Sequence, residues 1–320
     1  MTILPQSLTI DRRTITWFKV LIIILLIVGI FFRFVNLDLK VYWHDEVYTS
    51  MRAAGYTRHE IDEEIFQDRI IKASELQKFQ QIKPGSSSED TIQSLATEDP
   101  QHPPIYFLIA RMWMQEFGSS ITASRTLPAI ISLISLPLIY FLALELFQSQ
   151  LIAVLATVFL ALSPFDILFA QTARQYSLLT ACVIASSLLI LRSSQFSIWP
   201  NWIIYTFICT IGLCTHPFFA LTLIGQAIFI IAYRLSLKRK RQKILLKYLT
   251  SIASIIFLYS PWILILKNNS QRALATTDWA QVGVDFIYLV KLWILSFTSL
   301  FIDLDFGFNN IATYLLRLPF

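Results

Sequence analysis

The strongest constraint on this chain is a series of apolar runs too long and too numerous for a water-soluble fold. The first, residues 17–35, carries only Lys19 and Arg33 as charges, and about twenty apolar residues suffice for a helix to cross the hydrocarbon layer of a membrane. Further runs lie at about 125–146, 151–166, 174–192, 201–215, 217–233, 246–266 and 286–303. Hydrophobic residues make up 55% of the 320 and charged residues only 15%, more apolar surface than one core can hide from water. The expected fold class is an all-α polytopic membrane protein. Glycine occurs only 8 times, which weighs against a channel or transporter built on small-residue helix contacts.

Sidedness follows from charge. Arg12 and Arg13 in the tail, residues 1–16, place the N-terminus in the cytoplasm. Lys19 and Arg33 are expected to snorkel to the interface. The first run has no small-residue cleavage site and reads as a retained anchor. Residues 36–124 then form a large extracytoplasmic loop, and residues 125–320 a membrane-helical region. Ten of the 21 acids fall between Glu60 and Asp99, whereas Arg234–Lys247 holds seven bases and no acid. That separation fits membrane topology rather than nucleic-acid binding, with Lys238–Arg241 as a topology determinant. The basic loop is cytoplasmic provided that residues 104–117 do not cross. This segment has about 14 residues, carries Arg111 and Glu116, and is expected to be a juxtamembrane helix.

Within the loop, Ile61, Ile65, Phe66, Ile70 and Ile71 are expected on one amphipathic helix lying on the bilayer. Lys83–Ser88 reads as a mobile breaker. Cys182, Cys209 and Cys214 sit in apolar runs without metal-ligand spacing and read as buried thiols. The chain stops inside an apolar stretch at Leu318–Phe320, which suggests that it belongs to something longer.

The candidate chemistry sits at Tyr42–Glu46, where the first helix leaves the lipid. Asp45 is the candidate general base and Glu46 its helper, or both hold a divalent cation, with His44 a secondary candidate beside them. The competing reading is an acidic cap on a surface helix. Pro103 and Pro104 would fix His102 near this loop, with Asp99 as a further candidate or a solvated acid. The same face receives the loops near Ser163–Arg174, Thr215–Pro217 and Lys267–Asp285. Arg174 offers a planar fork of donors to a lipid-linked phosphate, with Tyr176 two residues on, unless it merely snorkels. His216 is either a satisfied helix-end histidine or a site residue, and Asp278–Trp279 a candidate sugar-stacking pair. No Gly-rich phosphate loop and no alternating α/β pattern is present, so a nucleotide-binding domain is excluded. A lipid-linked donor entering sideways from the bilayer fits instead.

The ordered set Trp43–Glu46, His102–Phe107, Phe117-Gly118, Arg125–Pro128, Ser163–Phe165 and Ala173–Tyr176 resembles bacterial family-39 glycosyltransferases. These are relatives of the protein O-mannosyltransferases and the aminoarabinose transferase within the GT-C superfamily. The resemblance implies a GT-C fold, a bacterial inner-membrane location and a polyprenyl-phosphate sugar donor. It also implies inverting transfer to an extracytoplasmic glycan, lipid or protein, with Asp45 as the catalytic carboxylate. Relatives often carry an acid where this chain has Thr172, and some carry one within the stretch matching Ser177–Thr180. The competing functions are a lipid-linked saccharide transporter, which would need polar groups deep in several spans, and a non-enzymatic membrane scaffold.

Overall fold

The computed structural model describes residues 12–196, 198–236, 242–276, 283–298 and 300–301. Lys238–Arg241, Asp278–Trp279 and the apolar end at Leu318–Phe320 lie outside the described residues. Among the described residues every regular element is a helix.

The chain enters through α1 (Arg12–Phe34), on which Trp17, Leu21, Ile24, Ile27 and Phe31 are each at least half exposed. Such a face costs free energy in water and nothing against lipid tails. The loop region folds as α2 (His44–Ala54), α3 (Arg58–Ile65), α4 (Ala73–Gln77) with a 3-10 turn at Lys78–Gln80, α5 (Ser88–Glu98) and α6 (Ile105–Phe117). There follow α7 (Ile121–Phe147), α8 (Gln150–Leu162), α9 (Pro164–Ala170), α10 (Tyr176–Phe196), α11 (Trp199–Thr215), α12 (Phe219–Ser236), α13 (Gln242–Asn268), α14 (Ser270–Thr276) and α15 (Phe286–Thr298). Helices α1, α7, α10 and α13 are each long and apolar enough to cross a membrane, and α8 with α9 makes a fifth candidate bent by 58°. The chain is an all-α polytopic membrane protein.

Two clusters join the loop region to the bundle. Leu95 of α5 and Phe107 of α6 are buried together with Cys182, Trp202, Tyr205, Phe219, Tyr259 and Trp262 of the long helices. Ala53 and Ala54 of α2 pack with Tyr106, Ala110 and Met114 of α6 and with Leu127 and Ile131 of α7. The loop region is therefore seated on the bundle rather than tethered to it. Trp262 Nε1 donates to the Pro100 carbonyl at 3.0 Å, which pins the approach to α6 against α13.

Several expectations are corrected. The amphipathic helix of the loop stops at Ile65: the chain turns through a positive φ of 50° at Asp68, leaving Phe66 78% and Ile70 99% exposed. Lys83–Ser88 is anchored, not loose. Lys83 N–H donates to the Ala54 carbonyl at 3.0 Å, and Arg111 donates to the carbonyl and hydroxyl of Ser86 at 2.7 and 2.8 Å. The run 151–166 is broken at Ser163, where Pro164 supplies no N–H. Arg33 does not snorkel. It is 0% exposed and pairs with Asp166 at 2.5 Å. It also donates to the carbonyls of Leu160 and Ala161 at the broken end of α8.

Gly29 makes the contact of α1 with α8 possible. A Cβ there would lie 2.5 Å from the Ala161 carbonyl oxygen and 2.8 Å from its carbon, both backbone atoms. Gly29→Ala should therefore destabilise the protein by roughly 1–3 kcal/mol, the scale of core overpacking. Gly225→Ala, with nothing within 4 Å of the added atom, should leave stability unchanged or higher. Denaturation of the purified variants in one detergent measures both.

Candidate functional site

Asp45 and Glu46 are neighbours in sequence with opposite environments. The first turn of α2 sends Glu46 inward and leaves Asp45 at the rim. Glu46 is 1% exposed and has both oxygens engaged. Arg125 Nε donates to Oε1 at 2.9 Å and Arg125 Nη2 to Oε2 at 2.7 Å. The Ala173 N–H adds a bond to Oε1 at 2.7 Å, and the Trp43 N–H one to Oε2 at 3.3 Å. Arg125 spends its remaining donors on the carbonyls of Leu37, Lys40 and Val41 at 2.6, 3.0 and 2.8 Å. One pair thus ties the exit of α1, the start of α2, the start of α7 and the turn before α10 together. Glu46, expected as helper or cation ligand, has no free oxygen for either task. With both Glu46 oxygens taken up by these donors, the pair does not fit a two-carboxylate cation site. Among the described residues no group of three or more His, Cys, Asp or Glu side chains is placed to hold a metal ion.

Asp45 has a different set of partners. His44 Nε2 lies 3.1 Å from Oδ1 and Arg174 Nη2 lies 3.9 Å from Oδ2, while the carboxylate keeps 29% of its surface exposed. Arg174 is held in place rather than floating. Its Nη1 donates to Thr49 Oγ1 at 3.0 Å and to the Asp45 carbonyl at 3.3 Å. Thr49 lies one helical turn after Asp45 on α2 and returns its own hydroxyl proton to that carbonyl at 2.9 Å. The guanidinium carbon sits 5.9 Å from the centre of the Tyr176 ring, which stacks on Phe169. Arg174 is 5% exposed, and its Nε is buried without a partner among the described residues.

The turn that carries Arg174 is itself clamped to the end of α1. Gln171 Nε2 donates to the carbonyls of Phe32 and Val35 at 2.5 and 3.0 Å, and Lys40 Nζ donates to Gln171 Oε1 at 2.5 Å.

His102 and His216 complete the neighbourhood. The Arg174 charge acts on both rings, and His216 acts on His102. Burial first, then Arg174, His216 and Arg52, lowers His102 from its ordinary value to about 3. Burial and then Arg174 lower His216 to about 4. Both imidazoles are neutral at physiological pH. His102 Nδ1 lies 3.4 Å from Gln175 Nε2, and Gln175 is wholly buried.

Of the residues singled out from sequence, the structure brings His44, Asp45, Arg174, Tyr176, His102 and His216 to one neighbourhood. Asp99 is not among them. It accepts from Arg52 Nε at 2.6 Å, beside the Arg52–Glu98 pair at 2.5 Å, and fastens α5 to α2. Sequence reasoning gave no role to Arg125, Thr49, Gln171 or Gln175. Arg125 and Gln175 stood inside the motifs Arg125–Pro128 and Ala173–Tyr176 without a role of their own, and Thr49 has a four-residue spacing from Asp45 on a helix.

A family model described as dolichyl-phosphate-mannose-protein mannosyltransferase matches residues 101–265. That segment holds His102, Arg174, Tyr176 and His216, while Asp45 and Glu46 precede it. No curated protein and no solved structure matches the chain.

Two outcomes follow from the geometry. Arg125→Met strands Glu46 as a buried unpaired charge and should cost roughly 3–5 kcal/mol in denaturant unfolding, with Arg125→Lys also destabilising because it loses the two-pronged contact. The histidines set the second. Their folded values of about 3 and about 4 lie below the ordinary 6.5, so the unfolded chain takes up protons that the folded one refuses. The stability this gives is complete above about pH 6.5 and declines as the pH falls towards 4 and then 3. Thermal unfolding at pH 7 and pH 5 should show a lower midpoint at pH 5, and His102→Gln should reduce that difference.

Proposed function

The chain belongs to the dolichyl-phosphate-mannose-protein mannosyltransferase family, membrane glycosyltransferases of the GT-C type, and on that premise we propose that it transfers a sugar from a polyprenyl-phosphate carrier to an acceptor hydroxyl, with inversion, at the extracytoplasmic face of a bacterial cell membrane. The observation that carries this reading is the Asp45–Arg174 juxtaposition, a partly exposed carboxylate 3.9 Å from a buried guanidinium. A hydroxyl is a poor nucleophile and needs a proton acceptor as it attacks. A sugar phosphate needs its leaving group held and its growing charge met.

In this reading Asp45 accepts the proton of the acceptor hydroxyl while that oxygen bonds to the anomeric carbon. The bond from the anomeric carbon to the phosphate oxygen breaks on the opposite face. Its electron pair leaves with the polyprenyl phosphate, whose charge Arg174 receives. A single displacement of this kind inverts the anomeric centre. Tyr176 flanks the guanidinium, His102 lines the same neighbourhood, and His44 orients the free side of Asp45. Glu46 acts through Arg125 and the Ala173 amide, as a positioning residue that sets how far Arg174 stands from Asp45. Burial of that pair, with every donor of Arg125 used, supports the division of labour between the two acids.

Asp45→Asn should lower transfer from a radiolabelled polyprenyl-phosphate sugar by about 10²–10⁴-fold, the usual contribution of general-base catalysis. Its unfolding midpoint should stay that of the parent. Glu46→Gln should instead lower the midpoint together with activity. Normal turnover by the Asp45→Asn protein would remove Asp45 from the chemistry.

A further inference from the structure

The turn between α11 and α12 is built so that one ring nitrogen of His216 is occupied and the other is left over. The His216 N–H closes α11 on the Gly212 carbonyl at 3.0 Å, and the Phe219 N–H returns to the His216 carbonyl at 3.0 Å. Gly212 has no Cβ, and one placed there would lie 2.6 Å from the Phe219 ring, which is wholly buried. The backbone at this turn is therefore fixed on both sides of the ring. Within it, the Phe218 N–H donates to His216 Nδ1 at 3.1 Å. A backbone N–H can only donate, so Nδ1 carries no proton. In a neutral imidazole the proton must then sit on Nε2. Among the described residues that Nε2–H has no hydrogen-bond partner.

The surroundings ask for an acceptor. The guanidinium of Arg174 acts on the ring, and among the described residues the buried Nε of that arginine has no partner. His102 comes to the same place, with its Nδ1 facing the Gln175 amide. Arg174, His102 and His216 thus come from three separate elements to one neighbourhood rich in N–H donors, and an anion satisfies such a set.

We infer that His216 is a neutral hydrogen-bond donor to the carrier phosphate, acting through Nε2–H, with the Phe218 N–H fixing the tautomer that makes it one. This rests on the polyprenyl-phosphate reading above and adds a ligand from the α11–α12 turn to it. His216 recognises phosphate without carrying charge, so it does not need acid to work.

Two substitutions separate this role from a merely structural one, because they predict opposite results. In His216→Asn the side-chain carbonyl reaches the Nδ1 position and keeps the Phe218 contact as an Asx turn, while the distal donor is gone. In His216→Gln the amide reaches the Nε2 position and the turn contact is lost. Binding of a polyprenyl phosphate, with the matching polyprenol as control, is measured on the full chain in detergent. The inference expects His216→Gln to stay within about threefold of the parent and His216→Asn to lose about tenfold or more, the scale of one hydrogen bond to a charged group. Near-normal binding by His216→Asn with weakened binding by His216→Gln would overturn it. A parent protein that does not prefer the phosphate to the alcohol would instead overturn the proposed donor, and the inference with it. The ¹⁵N spectrum of imidazole-labelled parent protein tests the tautomer without any substitution, since the chain has 4 histidines to assign. A bare Nδ1 and a protonated Nε2 at His216 support the inference, and the opposite tautomer refutes it.

Discussion

The Glu46–Arg125 pair is the interaction on which the rest of the structure depends. A carboxylate 1% exposed meets a guanidinium 2% exposed at the point where four stretches of chain join. Taking two such charges out of water costs several kcal/mol each, and their attraction offsets this only when the remaining donors and acceptors are also met. Here they are. The backbone amides of Trp43 and Ala173 meet the carboxylate, and three carbonyls of the α1–α2 connection meet the guanidinium. The pair thus does for an irregular connection what a sheet or helix does for regular backbone. It gives buried polar groups their partners and so defines one path for the chain.

The Asp45–Arg174 neighbourhood inherits its shape from that path. Because the Ala173 amide bonds Glu46, the next residue, Arg174, arrives beside the next-door acid, Asp45. Gln171 ties the same turn to the last carbonyls of α1, and Arg33 with Asp166 holds the break that lets the turn form at all. Asp45, His102, Arg174 and His216 come from α2, the approach to α6, the turn before α10 and the α11–α12 turn. A membrane protein needs its polar connections closed in this way at lipid depth, where an unpaired backbone group has no water to turn to.

Much of this was legible in sequence, and the boundary is physical. The apolar runs named the helices because a membrane imposes length and composition on every span. The first-loop acid, His102, Arg174 and His216 were brought to one face by counting spans and charges. What sequence did not show was the partition of two adjacent acids. On α2 they differ by about 100° of rotation, and which one faces inward is decided by Arg125, 79 residues away. Arg33 was misjudged for the same reason. Alone at a helix end it has only the interface to reach, and the acid that buries it lies beyond the loop region and two further helices. The loop segments failed locally: nothing in Lys83–Ser88 announces the arginine of α6 that fastens it, and the positive φ at Asp68 is not written in the apolar spacing around it.

Arg33 also sets a timetable. Its partner Asp166 lies 133 residues further along, which at ordinary synthesis rates arrives about 7–27 s later. Throughout that interval the end of α1 holds a charge with no mate, and a long flexible side chain at the interface is the resting place open to it. The snorkelled arginine belongs to the growing chain and the buried one to the finished fold. Docking of α8 and α9 is then the event that draws the guanidinium inward. The acid must be in place when that happens, so the last step in seating α1 waits on a residue that was not yet made when α1 entered the membrane.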